Sequence, residues 1–434
     1  MRLVFLLSAL AYAQDTLPLS LKRAVEIALA PEGSPRVALA EESIRQSQTG
    51  VAQARAAFLP DIEASVTDQN ETVNLRTFGL NIQVPGFNFP SLVGPFSVFD
   101  ARATAQQSVF DFSSIRKYQS SKVTVAATKA DAETTRNQVS DSVARAYLTS
   151  LRADAKLETE RANVELSDAL LKLSNRQKTA GTGLAIEVTR AQVQLANDRQ
   201  NLIVAENDRR KAVLQLLRAM GLNLDARIAF TDKLAYKPID VGPIEAALEK
   251  ARNERAELKA QAKREEIAKL NYGSVKAERL PSLSVFGNYG TVGPEIVGAL
   301  PTRAVGVTLK VPVFDGGRRD ARRAESLSQL RQEEIRSRDV KQQVDLDVRL
   351  ALDSVRSASS QVETAREGLT LAENELAQAQ RRYEGGVANS IEVTDAQTRL
   401  DRARDNQIAA LYNYNLARLD LATATGSIAE CLNQ

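Results

Sequence analysis

The chain has 434 residues, 57 Lys and Arg against 54 Asp and Glu, a formal net charge of +3, no His, no Trp and one Cys. Without imidazole, His-based triads, His metal sites and His acid–base chemistry are excluded, and the lone Cys431 leaves no internal disulfide. The near-balance of charge makes no case for nucleic acid as a partner.

The first thirteen residues read as a signal peptide. Arg2 is the positive region, Leu3 to Leu10 the short apolar run and Ala11-Tyr12-Ala13 the small-x-small cleavage site. No Cys stands near that site to carry a lipid anchor. No other stretch approaches the ~20 apolar residues of a transmembrane helix. An exported chain of this kind is either soluble or enters a membrane as β-strands.

A helix near residues 35–57 leads into a strand opening at Phe58. There Ile62, Ala64 and Val66 alternate with Asp61, Glu63, Ser65 and Thr67. A long loop, roughly 74–95, carries Phe78, Phe87 and Phe89, and a second strand runs to Asp111. Residues 113–180 then contain no proline, enough for about 100 Å of helix. Gly181 and Gly183 turn the chain into a return helix over 184–221.

The same plan follows again. A helix over 245–278 leads into a strand with Leu283, Val285 and Tyr289 on one face. The next strand carries Val305, Val307, Leu309 and Val311 and ends at Asp315. The proline-free stretch 318–385, a turn at Gly385 and Gly386, and a return helix over 390–426 complete it. Leu59-Pro60 recurs as Leu280-Pro281, Phe110-Asp111 as Phe314-Asp315, and Ile186-Glu187-Val188-Thr189 as Ile391-Glu392-Val393-Thr394, an offset of 205. The reading is a duplicated chain, with repeats at 14–231 and 232–426 and a C-terminal tail at 427–434.

The long helices are patterned in sevens. Val348, Val355, Val362, Leu369, Leu376 and Tyr383 are seven apart, each but the last followed three residues later by Ala351, Ala358, Ala365, Ala372 or Ala379. Such an a/d seam of large and small residues predicts closely packed, left-handed coiled coils. The return helix keeps the register with Ala396, Ala403, Ala410, Ala417 and Ala424. The first half carries a weaker copy in Val143, Leu157, Val164 and Leu171, then Val188, Leu195, Leu202 and Leu216. The many carboxylates along these helices read as solvated faces. Neither an enzyme nor a bound metal or cofactor is expected.

Four strands of about ten residues each suit a membrane, but four cannot close a barrel, and an open edge in lipid is forbidden. Chains must share one: eight strands from two, twelve from three or sixteen from four. The alternative is a soluble periplasmic coiled-coil scaffold.

The paired "LP" strand openings, the "VFD" strand-to-helix joins, the glycine tips followed by "IEV" and the near-equal duplication together resemble the TolC-like outer membrane efflux proteins. The resemblance covers nearly the whole mature chain. It implies an α plus transmembrane β fold: a trimer with a twelve-stranded β-barrel in outer membrane lipid, four strands per chain, continued by a long α-helical coiled-coil tunnel into the periplasm. It also implies docking with a periplasmic adaptor (membrane fusion) protein and an inner-membrane pump, in a tripartite efflux or type I secretion system. Substrates pass through unchanged.

The resemblance further places the periplasmic aperture at Glu392 and Asp395, with Glu187 and Tyr383 taking part, and adaptor docking at the tips Gly181, Gly183, Gly385 and Gly386. Two departures stand out. Ala388 occupies the position of a basic gate partner, and Arg190 stands where a first-copy equivalent of Asp395 would be. The nearest positive charge expected for these acids is Arg190.

Overall fold

The computed structural model describes residues 17–30, 33–79, 83–84, 87–88 and 90–431. The proposed signal peptide and Phe89 lie outside them. The elements of the first half are β1 (Leu17–Leu19), α1 (Leu21–Leu29), α2 (Pro35–Ala56), β2 (Asp61–Asn74), β3 (Gln83–Val84), β4 (Phe87–Asn88), β5 (Leu92–Phe110), α3 (Phe112–Thr179) and α4 (Ala185–Met220). Those of the second half are β6 (Ile228–Phe230), α5 (Ile244–Glu254), α6 (Ala256–Ala277), β7 (Ser282–Gly293), β8 (Leu300–Lys310), α7 (Arg318–Glu384), α8 (Ser390–Ala424) and α9 (Ile428–Cys431). Two compact units form. One gathers Ile44–Thr128 with Gln261–Ser337, the other the remaining segments.

The first unit holds an antiparallel sheet in the order β2-β5-β7-β8. Its register sorts the side chains. One face carries Ile62, Ala105, Gly287 and Val305 in one row and Ala64, Ala103, Tyr289 and Arg303 in another. The opposite face carries Asp61, Gln106, Phe286 and Gly306, then Glu63, Thr104, Asn288 and Ala304. A small, apolar face thus backs a polar one, as period-two strands between lipid and water require. The Phe286 ring lies across Gly306, where an added Cβ would come within 2.5 Å of it. The outer edges of β2 and β8 pair with no other strand among the described residues.

The strands differ from expectation at their ends. They have 14, 19, 12 and 11 residues, so the first pair is longer than the expected ten. β2 begins at Asp61 rather than Phe58, and β7 at Ser282, each one or more residues past a proline that lacks a ladder N–H. β5 begins at Leu92, taking the end of the expected loop. β8 stops at Lys310, not Asp315, because Pro312 lies ahead. The freed aspartates start the helices. Asp111 Oδ1 accepts from the Ser113 amide at 2.9 Å and Asp315 Oδ2 from the Arg319 amide at 3.0 Å.

The second unit is helical. α7 and α8 bury the predicted seam: Val348, Val355, Val362, Leu376 and Tyr383 with Ala351, Ala358, Ala372 and Ala379, against Val393, Ala396, Leu400, Ala410, Tyr414 and Ala417. α3 and α4 pack around Val139, Val143, Tyr147, Leu151, Leu216 and Met220, joined by Leu19 of β1. β1 pairs in parallel with β6, a contact the sequence reading did not anticipate.

Two expectations are corrected here. The expected single helix over 245–278 is broken at Arg255, whose ψ of 120° is extended and whose guanidinium bridges Glu257 and Asp347 at 2.8 Å each. The described part of the expected tail, residues 427–431, folds back instead: Ile428 of α9 is buried against Ala144, Leu148 and Leu419.

Candidate functional site at the hairpin tips

At the first tip α3 ends at Thr179. Gly181 takes φ +76°, and the amides of Thr182 and Gly183 return to the Gln177 carbonyl at 3.0 Å. The second tip repeats this at offset 205, with Gly386 at φ +70° and the Val387 amide 3.0 Å from the Arg382 carbonyl. Both conformations are left-handed, so glycine is demanded at 181 and 386 by the turn itself. Gly183 and Gly385 do not share it. The return helices are capped differently. Asn389 accepts from the amides of Ile391 and Glu392, whereas in the first copy Glu187 reaches back to the Leu184 amide at 3.3 Å.

The expected aperture residues therefore separate. Glu187 caps its own helix. Glu392 is tied to Arg382 Nε at 2.8 Å. The expectation that Arg190 is the nearest compensating charge is thus corrected: the base comes from the last turn of the outgoing helix α7, where a motif centred on the return helix does not look. Asp395 is exposed, with no ion pair among the described residues. Tyr383 is only 5% exposed, and its hydroxyl lies 3.3 Å from Ser174 Oγ, linking α7 to α3.

Behind the tips the hairpins enclose a cavity of about 20 Å³, lined by Ser167, Ser174, Glu187, Tyr383, Ser390 and Gln397 among others. It has room for one water. Ser390 Oγ and Gln397 Oε1 are buried there without a hydrogen-bond partner, as a bridging water would satisfy.

A polar seam continues from the cavity between α3, α4 and α8, and the sequence reading missed it. Glu160, Asn163, Ser167, Ser174 and Asp198 are buried, while the expected seam residues Val164 and Leu171 are only half-buried. The signal was present in the repeat. At offset 205, Glu160, Ser167 and Ser174 align with Ala365, Ala372 and Ala379, and Asp198 with Ala403. The small positions of the second copy are polar in the first. Lys156 Nζ lies 2.6 Å from Glu160 and 2.5 Å from Asp405, and Arg404 donates to Asn163 Oδ1 at 2.9 Å.

Comparison with known proteins decides what these elements serve. The family model described as outer membrane efflux protein matches residues 27–222 and 247–427. The chain belongs to this family. It is 25% identical over 297 residues to the outer membrane protein TolC of Vibrio cholerae, covering 66% of this chain and 67% of that protein. It is also 25% identical over 413 residues to the pyoverdine export outer membrane protein OpmQ of Pseudomonas putida, covering 93% and 83%. The fold is shared with VceC of Vibrio cholerae, TM-score 0.79 at 19% identity over 94% of this chain and 96% of that one. It is shared equally with the CmeC outer membrane channel of Campylobacter jejuni, TM-score 0.81 at 15% identity over 94% and 86%.

The protein is an outer membrane exit duct for efflux or secretion, with strands for a barrel and helices for a tunnel. The soluble scaffold is set aside by the same findings. The family is one of channels and not of enzymes.

Proposed function

We propose that three copies of this chain build one twelve-stranded barrel and one helical tunnel, through which substrates leave passively. A periplasmic adaptor and an inner-membrane pump would complete the system. The observation that carries this reading is the four-stranded sheet with a small apolar face and two edges that pair with no other strand among the described residues. Such a sheet is stable in lipid only when the β8 edge of one copy meets the β2 edge of the next. Relatives named for pyoverdine export and for alkaline protease secretion support reading the duct as an exit for exported cargo. Gly181, Gly183, Gly385 and Gly386 are the proposed adaptor-docking tips.

The narrow end is assigned to the tips, with Asp395 and Glu392 as acidic rings, Glu187 holding the first-copy turn and Tyr383 locking the hairpins. Because Arg382 answers Glu392, Asp395 is the acid left to set the field, and such rings favour cations. Planar-bilayer recordings test this. The native protein should give discrete, cation-selective steps, and Asp395→Ala should reduce the selectivity and the block by multivalent cations. Absence of steps from native protein would contradict the duct; unchanged selectivity in Asp395→Ala would remove the aperture role.

A further inference from the structure

Acids gather between the two hairpins where the same helices elsewhere bury hydrocarbon. Glu160 on α3 and Asp198 on α4 are 3% and 2% exposed, and Asp401 on α8 is half-buried beside them. The charged groups acting on Asp401 are Asp198 from α4, Glu160 and Lys156 from α3, and Arg404 from its own helix. α7 meets α8 at this level through Ala372 and Leu376 and through the ion pair of Glu375 with Arg399, an acid and a base that answer each other. With Asp405, which shares Lys156, four acids face two bases. Both bases are engaged, Lys156 by Glu160 and Asp405, Arg404 by Asn163. Asp401 has no hydrogen-bond partner among the described residues.

A row of hydrogen bonds links this cluster across the hairpins. Asp198 accepts from Gln194 Nε2 at 3.0 Å and from Ser167 Oγ. Ser167 has one proton and gives it to Asp198, so toward Gln397 it can only accept, which it does at 3.4 Å. That fixes the amide and turns Gln397 Oε1, on a residue 3% exposed, toward the cavity with no partner. The row thus joins α4, α3 and α8, passes within one turn of Asp401 and ends on an unanswered acceptor.

We propose that Asp198 and Asp401, with buried Glu160 and its partner Lys156 beside them, form a proton-binding joint between the hairpins: a proton held by the two aspartates draws α8 onto α3 and α4, and its loss lets the helices part. Asp198 and Asp401 share a partly dry seam with a third carboxylate, where ionising both aspartates brings repulsion. Burial first, then Asp198 and Glu160, push the Asp401 carboxyl up to about 6, and burial raises Asp198 as well. Both shifts lie above the ordinary value of 3.8, so the closed seam holds a proton that an opened, solvated seam releases. Closure is therefore favoured as pH falls through about 6 and loses that contribution as pH rises above it. The joint rests on reading the hairpins as tunnel walls, and its test needs no conductance.

Spin labels at Arg199→Cys on α4 and Arg402→Cys on α8, both exposed, report the separation in purified, assembled protein carrying Cys431→Ser. Between about pH 8 and about pH 5 the intra-chain distance should shorten and its distribution narrow. Asp401→Asn should show the acid-form distance throughout, while Glu373→Gln, at an exposed position of α7, keeps the native response. A native distribution that does not change with pH overturns the joint, as does an Asp401→Asn protein that retains the native pH response.

Discussion

The two helical hairpins share one heptad register but bury different chemistry. α7 and α8 close over valine, leucine and alanine, with every expected large position on α7 buried except the half-buried Leu369. α3 and α4 are apolar toward Val143 and Tyr147 but polar toward the tip, where Glu160, Ser167, Ser174 and Asp198 fill positions that are alanine in the second copy. The difference shows that a repeat fixes where side chains point and not what they do. The apolar seam supplies adhesion through the hydrophobic effect. The polar seam contributes less adhesion and more specificity, because each buried donor or acceptor demands its partner.

Truncation should separate the seams most strongly. Leu376→Ala, in the apolar seam, is expected to cost ~2–5 kcal/mol per chain, read as a large drop in thermal midpoint of the assembled protein. If Asn163→Ala lowers the midpoint as much, the contrast between the hairpins is wrong.

Added volume gives a smaller effect of the same kind. Ala365→Leu should cost ~1–3 kcal/mol per chain through overpacking between α7 and α8. Its first-copy counterpart is Glu160, already a large side chain, so Glu160→Gln should be tolerated there without separating the helices. Denaturant midpoints of the two variants compare them, and a neutral Ala365→Leu would show that the alanine stripe is not a close approach.

At the tips the effect on stability should be the smallest. The Arg382–Glu392 pair is about half exposed, and such pairs contribute ~0–1 kcal/mol. Arg382→Ala should leave the thermal midpoint nearly unchanged, yet free Glu392 to act with Asp395 and raise cation selectivity in bilayers. Unchanged selectivity would mean that Glu392 does not face the permeation path.

Much of this molecule is legible in its sequence because its signals are long and repeated. Proline-free stretches, glycine tips and the alanine stripe located α3, α4, α7 and α8 within two residues of their ends. Strand ends were read less well, since Pro312 and the residues after Asn74 act through ladder geometry rather than hydropathy. β1, β6 and α1 escaped notice: three-residue strands carry no periodicity, and their pairing spans more than two hundred residues. At the site, Gly181, Gly386 and the acids near the tips were visible as a motif. Arg382 and the Glu160–Asp198–Asp401 cluster were not, because both arise from helices far apart in sequence meeting side by side.

The central claim is that each chain supplies four strands to a barrel no single chain can close. Mass measurement of the native protein extracted in detergent tests it most directly. The account predicts a single species holding three processed chains, with its β-structure lost when the assembly is driven apart. A stable monomer that keeps the four-stranded sheet would contradict it.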